Sequence, residues 1–440
     1  MTVETEKGSG EGLNPIRVGH VRWTIILTLF GLITFDYIDR GLVSSALPVL
    51  TTLYHLNGVE QAVIGDGFTY GYLIMNPVVG ILMDRKGLRL LMASSGFAWG
   101  SVQVITAGAF DFLYLAIARV FLGIAEAVGF PGVVKITSNW MTTREKARGG
   151  TISDSGVNVG IVLGSLVLLG FDLIIPSDVA WRYAFIFSGL LTIVFVFVLI
   201  YNLYDTPETH PRISKAELEY IRKNQDPVVD QSKVNVYQWF GTMDYWGFQQ
   251  GLGAQAGIFY GLLAFLPLYL SVARHFTLTL TLGYTALIWG MGFVGENIGG
   301  FVVDYLIRKI GPNRAMKIGF SVSSLGVTLG LAATVFSTSP ITAVEILMIT
   351  FFCLRWSGIQ WSAASFIVPK KLAGQWGGHI GFWETLWGIV IPLVFGVTIL
   401  VTKAYTEGMI IMIFVGVVYF LGSVVFTRYR PLKFRGEGAP

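Results

Sequence analysis

Twelve stretches of about 20 or more mostly apolar residues run along this chain, and that repetition constrains the fold more than any other feature. They lie at 22–50, 61–83, 90–109, 112–137, 147–170, 181–204, 245–271, 279–307, 316–336, 341–367, 375–401 and 407–427. Only 13% of the 440 residues are charged, about half the share usual in a soluble domain. So few charges could not cover a large water-soluble core, whereas a lipid-facing surface needs almost none. The 53 glycines suit helices that approach one another closely in a bilayer. The first stretch begins near Val21. It is long and contains Asp36, Asp39 and Arg40, unlike a short cleavable leader, and is expected to stay as the first membrane helix. The expected fold class is an all-α membrane protein with 12 transmembrane helices in two six-helix bundles.

The basic residues alternate by side. One side takes Arg17, Arg22, Arg85, Lys86, Arg89, Arg144, Lys146 and Arg148. It also takes the middle loop with Arg212, Lys215, Arg222, Lys223 and Lys233, then Arg308, Lys309, Arg314, Lys317, Lys370 and Lys371, and the tail with Arg428, Arg430, Lys433 and Arg435. The other side holds Arg182, Arg274 and Lys403. Basic residues in short loops stay cytoplasmic, so both termini and the middle loop are expected on the cytoplasmic side. The expected organisation is an N-terminal bundle at 1–205, a cytoplasmic loop at 206–243, and a C-terminal bundle with its tail at 244–440. Within the loop, Ser214 to Asn224 reads as a short helix capped by Ser214, with Glu217 three residues on. A faint repeat supports two parallel halves: Gly80 precedes Asp84 as Gly300 precedes Asp304, each followed by basic residues, at an offset of half the chain.

Function is narrowed first by what is missing. The lone Cys353 and the scattered histidines offer no disulfide framework or metal-ligand spacing. The sequence contains no G-x-S-x-G, H-E-x-x-H or phosphate-binding glycine loop. No enzyme, metal, cofactor or nucleic-acid partner is expected. The ionisable residues inside the spans point elsewhere. A charge at bilayer depth costs from about 2.5 to over 10 kcal/mol, so such groups usually face a cavity or a partner and mark a pathway. Asp36, Asp39 and Arg40 lie in the first span; Arg119, Glu126 and Lys135 in the fourth; Asp154 in the fifth; Glu296, Arg355 and Glu384 in the eighth, tenth and eleventh.

The segment from Gly80 to Gly87 resembles the signature between the second and third helices of the major facilitator superfamily. Phe35 to Arg40, Ala46-Leu47-Pro48, Arg119 with Leu122 to Ala127, Phe130-Pro131 and Trp140 resemble motifs of its anion:cation symporter family, which includes galactonate, hexuronate, tartrate and phthalate transporters. Trp181-Arg182-Tyr183, Pro207 to Pro211 and Leu266 to Leu270 add weaker matches. The resemblance covers nearly the whole chain. It implies a major facilitator fold with a central cavity, alternating access, and proton-driven uptake of a small organic anion such as a sugar acid or an aromatic or dicarboxylic acid. The proton is then the coupling ion. Export, exchange or sodium coupling is the alternative.

Residue by residue, the resemblance places coupling and anion recognition at Asp39, Arg40 and Glu126. The chemistry agrees. Asp39 and Glu126 are candidate proton sites, and a guanidinium such as Arg40 can grip a carboxylate through two parallel bonds. Arg40 is also expected to neighbour Asp39. Tyr72, Asn76, Asn158, Arg355, Gln360, His379 and Glu384 are candidate substrate contacts. Asp36, Asp84, Arg85, Arg119, Lys135, Asp154, Glu296, Asp304 and Arg308 are expected as gating or structural charges. Asp154 is expected to pair with Lys135 or Arg119, and Arg308 with Asp304. Glu296, Arg355 and Glu384 depart from the family pattern, either as a salt-bridge network or with Arg355 as a second anion ligand. A monomer is the expected working unit.

Overall fold

The computed structural model describes residues 19–225, 236–276, 278–402 and 405–432. Arg17, Lys233, Lys403, Lys433 and Arg435 of the charge pattern lie outside these residues. The chain crosses a membrane many times. Spans 1 to 6 are Val21–Tyr54, Gly58–Lys86, Leu88–Thr106, Phe112–Trp140, Lys146–Asp172 and Ser177–Asn202. Spans 7 to 12 are Met243–Ala273, Leu278–Ile310, Pro312–Phe336, Pro340–Ile367, Ala373–Thr402 and Thr406–Phe426. Ten of these helices are long and apolar enough to cross a bilayer unaided. Spans 2 and 3 are more polar. Span 2 packs on spans 4 and 11, and span 3 on spans 4 and 6, so part of their surface meets protein instead of lipid.

Several spans are broken, and the cause is visible in one. Span 4 is helical over Phe112–Glu126 and again over Gly129–Trp140. Pro131 lacks an N–H, and its ring clashes with the carbonyl four residues earlier, which falls at Ala127 in the break. Span 5 is interrupted at Ser155, between Lys146–Asp154 and Gly156–Asp172. Span 10 tightens into a 3-10 turn over Arg355–Ile359.

Several cross-pairings join the halves: span 2 with span 11, span 5 with span 8, span 4 with spans 10 and 11, and span 5 with span 10. Small residues allow the first. A Cβ at Gly80 would lie 2.6 Å from the Gly374 carbonyl and 2.9 Å from the Cα of Gln375, so only glycine fits. The turn after span 2 needs glycine for another reason, because Gly87 has φ +93°.

The middle loop is docked at the basic face. Its helix is Lys215–Asn224, and the Ser214 hydroxyl accepts the Glu217 N–H at 3.1 Å as expected. Glu217 turns to span 1, where it accepts the N–H groups of Val21 and Arg22, both at 3.1 Å, and pairs with the Arg22 guanidinium at 3.0 Å. Arg22 also pairs with Glu145 at 3.0 Å. His210 packs edge-on against Trp140 and Tyr204. Burial lowers its imidazole below the usual histidine range, helped by nearby Arg212.

Candidate functional site

A central cavity lies between the halves. Tyr37, Tyr72 and Asp154 contribute from one half; Gln255, Tyr260, Arg355, Gln360 and Glu384 contribute from the other. Two arginine clusters define its chemistry. In the N-terminal half, Arg40 and Asp36 are one helical turn apart on span 1, and Nη2 of Arg40 lies 2.9 Å from Oδ1 of Asp36. The same nitrogen is 3.7 Å from Oε2 of Glu126, an ion-pair distance too long for a hydrogen bond. The guanidinium stacks over Tyr37 and Phe68, at 4.2 and 4.1 Å to the ring centroids, with Tyr72 at 5.3 Å. Tyr37 and Tyr72 line the cavity, and Arg40 lies directly behind them.

In the C-terminal half, Arg355 sits at the start of the 3-10 turn in span 10. Its Nη2 lies 2.7 Å from Glu296 on span 8 and 2.9 Å from Asp154 on span 5. Asn158 donates to the same Glu296 oxygen at 3.2 Å. The expected choice between network and anion ligand therefore has a geometric answer in this conformation. Arg355 is held by two carboxylates, one from each half.

Several expectations need correction. Asp39 does not neighbour the Arg40 guanidinium. Consecutive helical residues project about 100° apart, and Asp39 points into the protein, fully buried, where it accepts a 2.5 Å hydrogen bond from Trp99 Nε1 on span 3. Asp154 pairs with Arg355, not with Lys135 or Arg119. Arg119 donates to the Ile64 carbonyl at 3.1 Å. Lys135 instead pairs with Asp84 and donates to the Lys370 carbonyl at 2.9 Å. Asn76 is fully buried in the contact with span 11, its side-chain N–H bonded to the Tyr72 carbonyl at 2.8 Å, so it packs the interface instead of lining the cavity. His379 lies in an aromatic cluster with Trp239, its ring 3.1 Å from the Tyr245 hydroxyl, away from the cavity.

Both aspartates reach the start of a helix in the other half, and their basic neighbours do not. Asp84 accepts the N–H groups of Gly374 and Gln375, at 3.2 and 2.8 Å, in the first turn of span 11. Asp304 accepts those of Ala147 and Arg148, at 2.9 and 3.2 Å, in the first turn of span 5, and pairs with the Arg148 side chain at 2.7 Å. Arg85 and Arg308 are exposed, and Arg308 reaches only the Asp304 carbonyl, at 3.4 Å. Arg85, next to Asp84 in the helix, projects about 100° away from it, while Arg308 shares a face with Asp304, whose carboxylate is taken by Arg148. These contacts clasp the halves together at the basic face.

Residues that sequence reasoning passed over include Trp99, Arg148, Tyr260 and Gln255. Gln255 and Tyr260 carried a usable signal, as polar groups in the middle of an apolar span. Trp99 and Arg148 carried none. Among the described residues, no group of three or more histidine, cysteine, aspartate or glutamate side chains is placed to hold a metal ion.

Twelve helices in two clasped halves, around a cavity with charges at bilayer depth, define a multi-pass membrane transporter. Residues 29–392 match the Major Facilitator Superfamily, and the chain belongs to that family. It is similar to the uncharacterized transporter YybO of Bacillus subtilis, at 28% identity over 93% of this chain and 94% of that one. It is also 27% identical to the probable galactarate/D-glucarate transporter GudP of Escherichia coli, over 90% of this chain and 91% of that one. The probable sulfoacetate transporter SauU of Cupriavidus necator is 26% identical over 84% and 85% of the two chains. These names fit the anion:cation symporter group that the helix motifs resemble. Among solved structures, the proton:xylose symporter XylE superposes with a TM-score of 0.74 at 15% identity, covering 93% of this chain and 97% of that one. Each of these is a transporter and none is an enzyme.

Proposed function

We propose that the protein is a proton-coupled importer of a small organic anion, working by alternating access in a bacterial inner membrane as a monomer. The basic face is cytoplasmic, with both termini inside. The clasped arrangement is then the outward-facing phase of the cycle. Relatives named for galactarate, glucarate and sulfoacetate support an organic-anion substrate.

The observation that carries this reading is the geometry at Arg40. One guanidinium, just behind the tyrosines that line the cavity, is shared by two carboxylates, at 2.9 and 3.7 Å. With both acids ionised the cluster has one negative charge in excess, at a depth where net charge is costly. A proton on Glu126 removes the excess and loosens its hold on Arg40. The guanidinium is then free to bind an incoming carboxylate in two-bond fashion. Substrate and proton thus favour each other's binding, as symport requires. Asp39, buried against Trp99, is a second candidate proton site. A monoanion that enters with two protons carries net positive charge, so the membrane potential assists its uptake.

Proteoliposomes loaded with a sugar acid test the coupling. Glu126→Gln is expected to keep exchange of labelled for unlabelled substrate and to lose accumulation driven by an imposed proton gradient. Arg40→Ala is expected to lose both. Accumulation by Glu126→Gln equal to that of the parent protein would refute the coupling role.

A further inference from the structure

The membrane interior holds more carboxylates than its arginines can match. Arg40 is met by Asp36 and Glu126, and Arg355 by Asp154 and Glu296. Glu384 of span 11 is left without a guanidinium partner in either cluster. It lines the cavity together with Gln360, Tyr260 and Phe259. Its Oε1 is buried with no hydrogen-bond partner. Gln360 is only 4% exposed, and its own Oε1 is likewise unpartnered. The two residues line the same cavity, and an amide whose NH2 serves a carboxylate keeps its carbonyl oxygen for other groups.

Two buried, unpartnered acceptors therefore face one cavity. The oxygens of a carboxylate ligand have only lone pairs to offer and cannot satisfy them. A ligand N–H or O–H can. The formal charge chooses between these: Glu384 has no cation at ion-pair distance among the described residues, so in its ionised form it is neutralised by a protonated amine and not by a hydroxyl. The rings of Tyr37, Tyr72 and Tyr260 at the same cavity suit a cation further. Tyr37 and Tyr72 also pack against the Arg40 guanidinium, so Arg40 and Glu384 are joined through one lining.

We propose that Glu384 and Gln360 form a subsite for a protonated amine, and that the substrate is an amine-bearing carboxylate held by its carboxylate at Arg40 and by its ammonium at Glu384. This rests on the reading that Arg40 receives an organic anion. A zwitterion brings no net charge, so even one co-transported proton makes uptake electrogenic.

The test compares matched pairs on the parent protein in proteoliposomes: D-gluconate with 2-amino-2-deoxy-D-gluconate, and butyrate with 4-aminobutyrate. Uptake under a proton gradient and current on a supported membrane are the readouts. The aminated member of each pair is expected to have a kcat/KM higher by about tenfold or more, and Glu384→Gln to reduce that ratio by about tenfold. If Glu384→Gln is not monodisperse, the parent ratio decides, with Gln360→Leu as the second variant. Equal uptake within each pair, or preference for the unaminated member, overturns the amine subsite and leaves the anion reading intact. Transport of neither member of either pair overturns both.

Discussion

Neutralising Asp84 is expected to open the basic face, and its size can be worked from the contacts. In the clasped state the Asp84 side chain is 2% exposed and the Lys135 side chain 12% exposed, so their ion pair is largely shielded from water. The same carboxylate accepts two backbone N–H groups from the far half, at 3.2 and 2.8 Å. Asp84→Asn keeps the shape and one acceptor oxygen but removes the charge, leaving Lys135 with carbonyl partners only. Breaking a buried pair from one side costs about 3–5 kcal/mol, and the exposure of Lys135 argues for the low end. About 3 kcal/mol is roughly a hundredfold in an equilibrium constant. A parent protein that is about 99% clasped would become about half unclasped. Lys86 and Lys371 are exposed on opposite sides of this contact. Spin labels at these two positions in a Cys353→Ser background report the separation by pulsed electron resonance. The parent should give one short distance, and Asp84→Asn a second, longer population of comparable weight. An unchanged distribution would refute the clasp.

Asp154→Asn removes the charged link from Arg355 to the other half and is expected to shift the same distance distribution in the same direction, again by about 3 kcal/mol. Asp39→Asn keeps an acceptor for the Trp99 N–H, so the fold should survive while proton-driven accumulation falls by about tenfold or more; undiminished accumulation would remove Asp39 from the coupling scheme. Gly80→Val places a side chain against the backbone of span 11, where nothing can yield, and is expected to cost about 1–3 kcal/mol of the clasped state; a parent-like distance distribution would contradict it.

The helices were legible because lipid imposes a length and a composition on each span. Even the polar spans 2 and 3 were visible, because the basic turn at Arg85 to Arg89 separates them. The identity of the buried charges was equally plain, since an ionisable residue stands out in an apolar run. Their partners were not. Arg355 finds Asp154, 201 positions away, and Arg148 finds Asp304, 156 away. Hydropathy carries no information about which helices face each other across the interface. Helical phase was available and underused: the spacing that puts Asp36 beside Arg40 also turns Asp39 away from it. Asn76 and His379 show the same limit from the other direction. A polar residue in mid-span need not reach a cavity when its own helix backbone or a tyrosine hydroxyl supplies its partner.

The charges are also placed where the helices are weakest. Glu126 ends the first segment of span 4, Asp154 ends the first segment of span 5, and Arg355 begins the 3-10 turn of span 10. An unbroken helix satisfies its own backbone and resists bending, whereas a broken one inside a bilayer is tolerated only where protein or a cavity supplies the missing partners. Each break therefore puts an ionisable group on a segment that can reorient without unfolding the rest of its span. Two of the three groups, Asp154 and Arg355, hold each other across the interface between the halves. The third, Glu126, shares Arg40 with Asp36. A change of charge at any one of them acts beside such a break, and spans 4, 5 and 10 are elements that connect the cavity to the clasp at the basic face. Span 5 makes the connection shortest, since Ala147 and Arg148 hold Asp304 at its start and Asp154 holds Arg355 at its break.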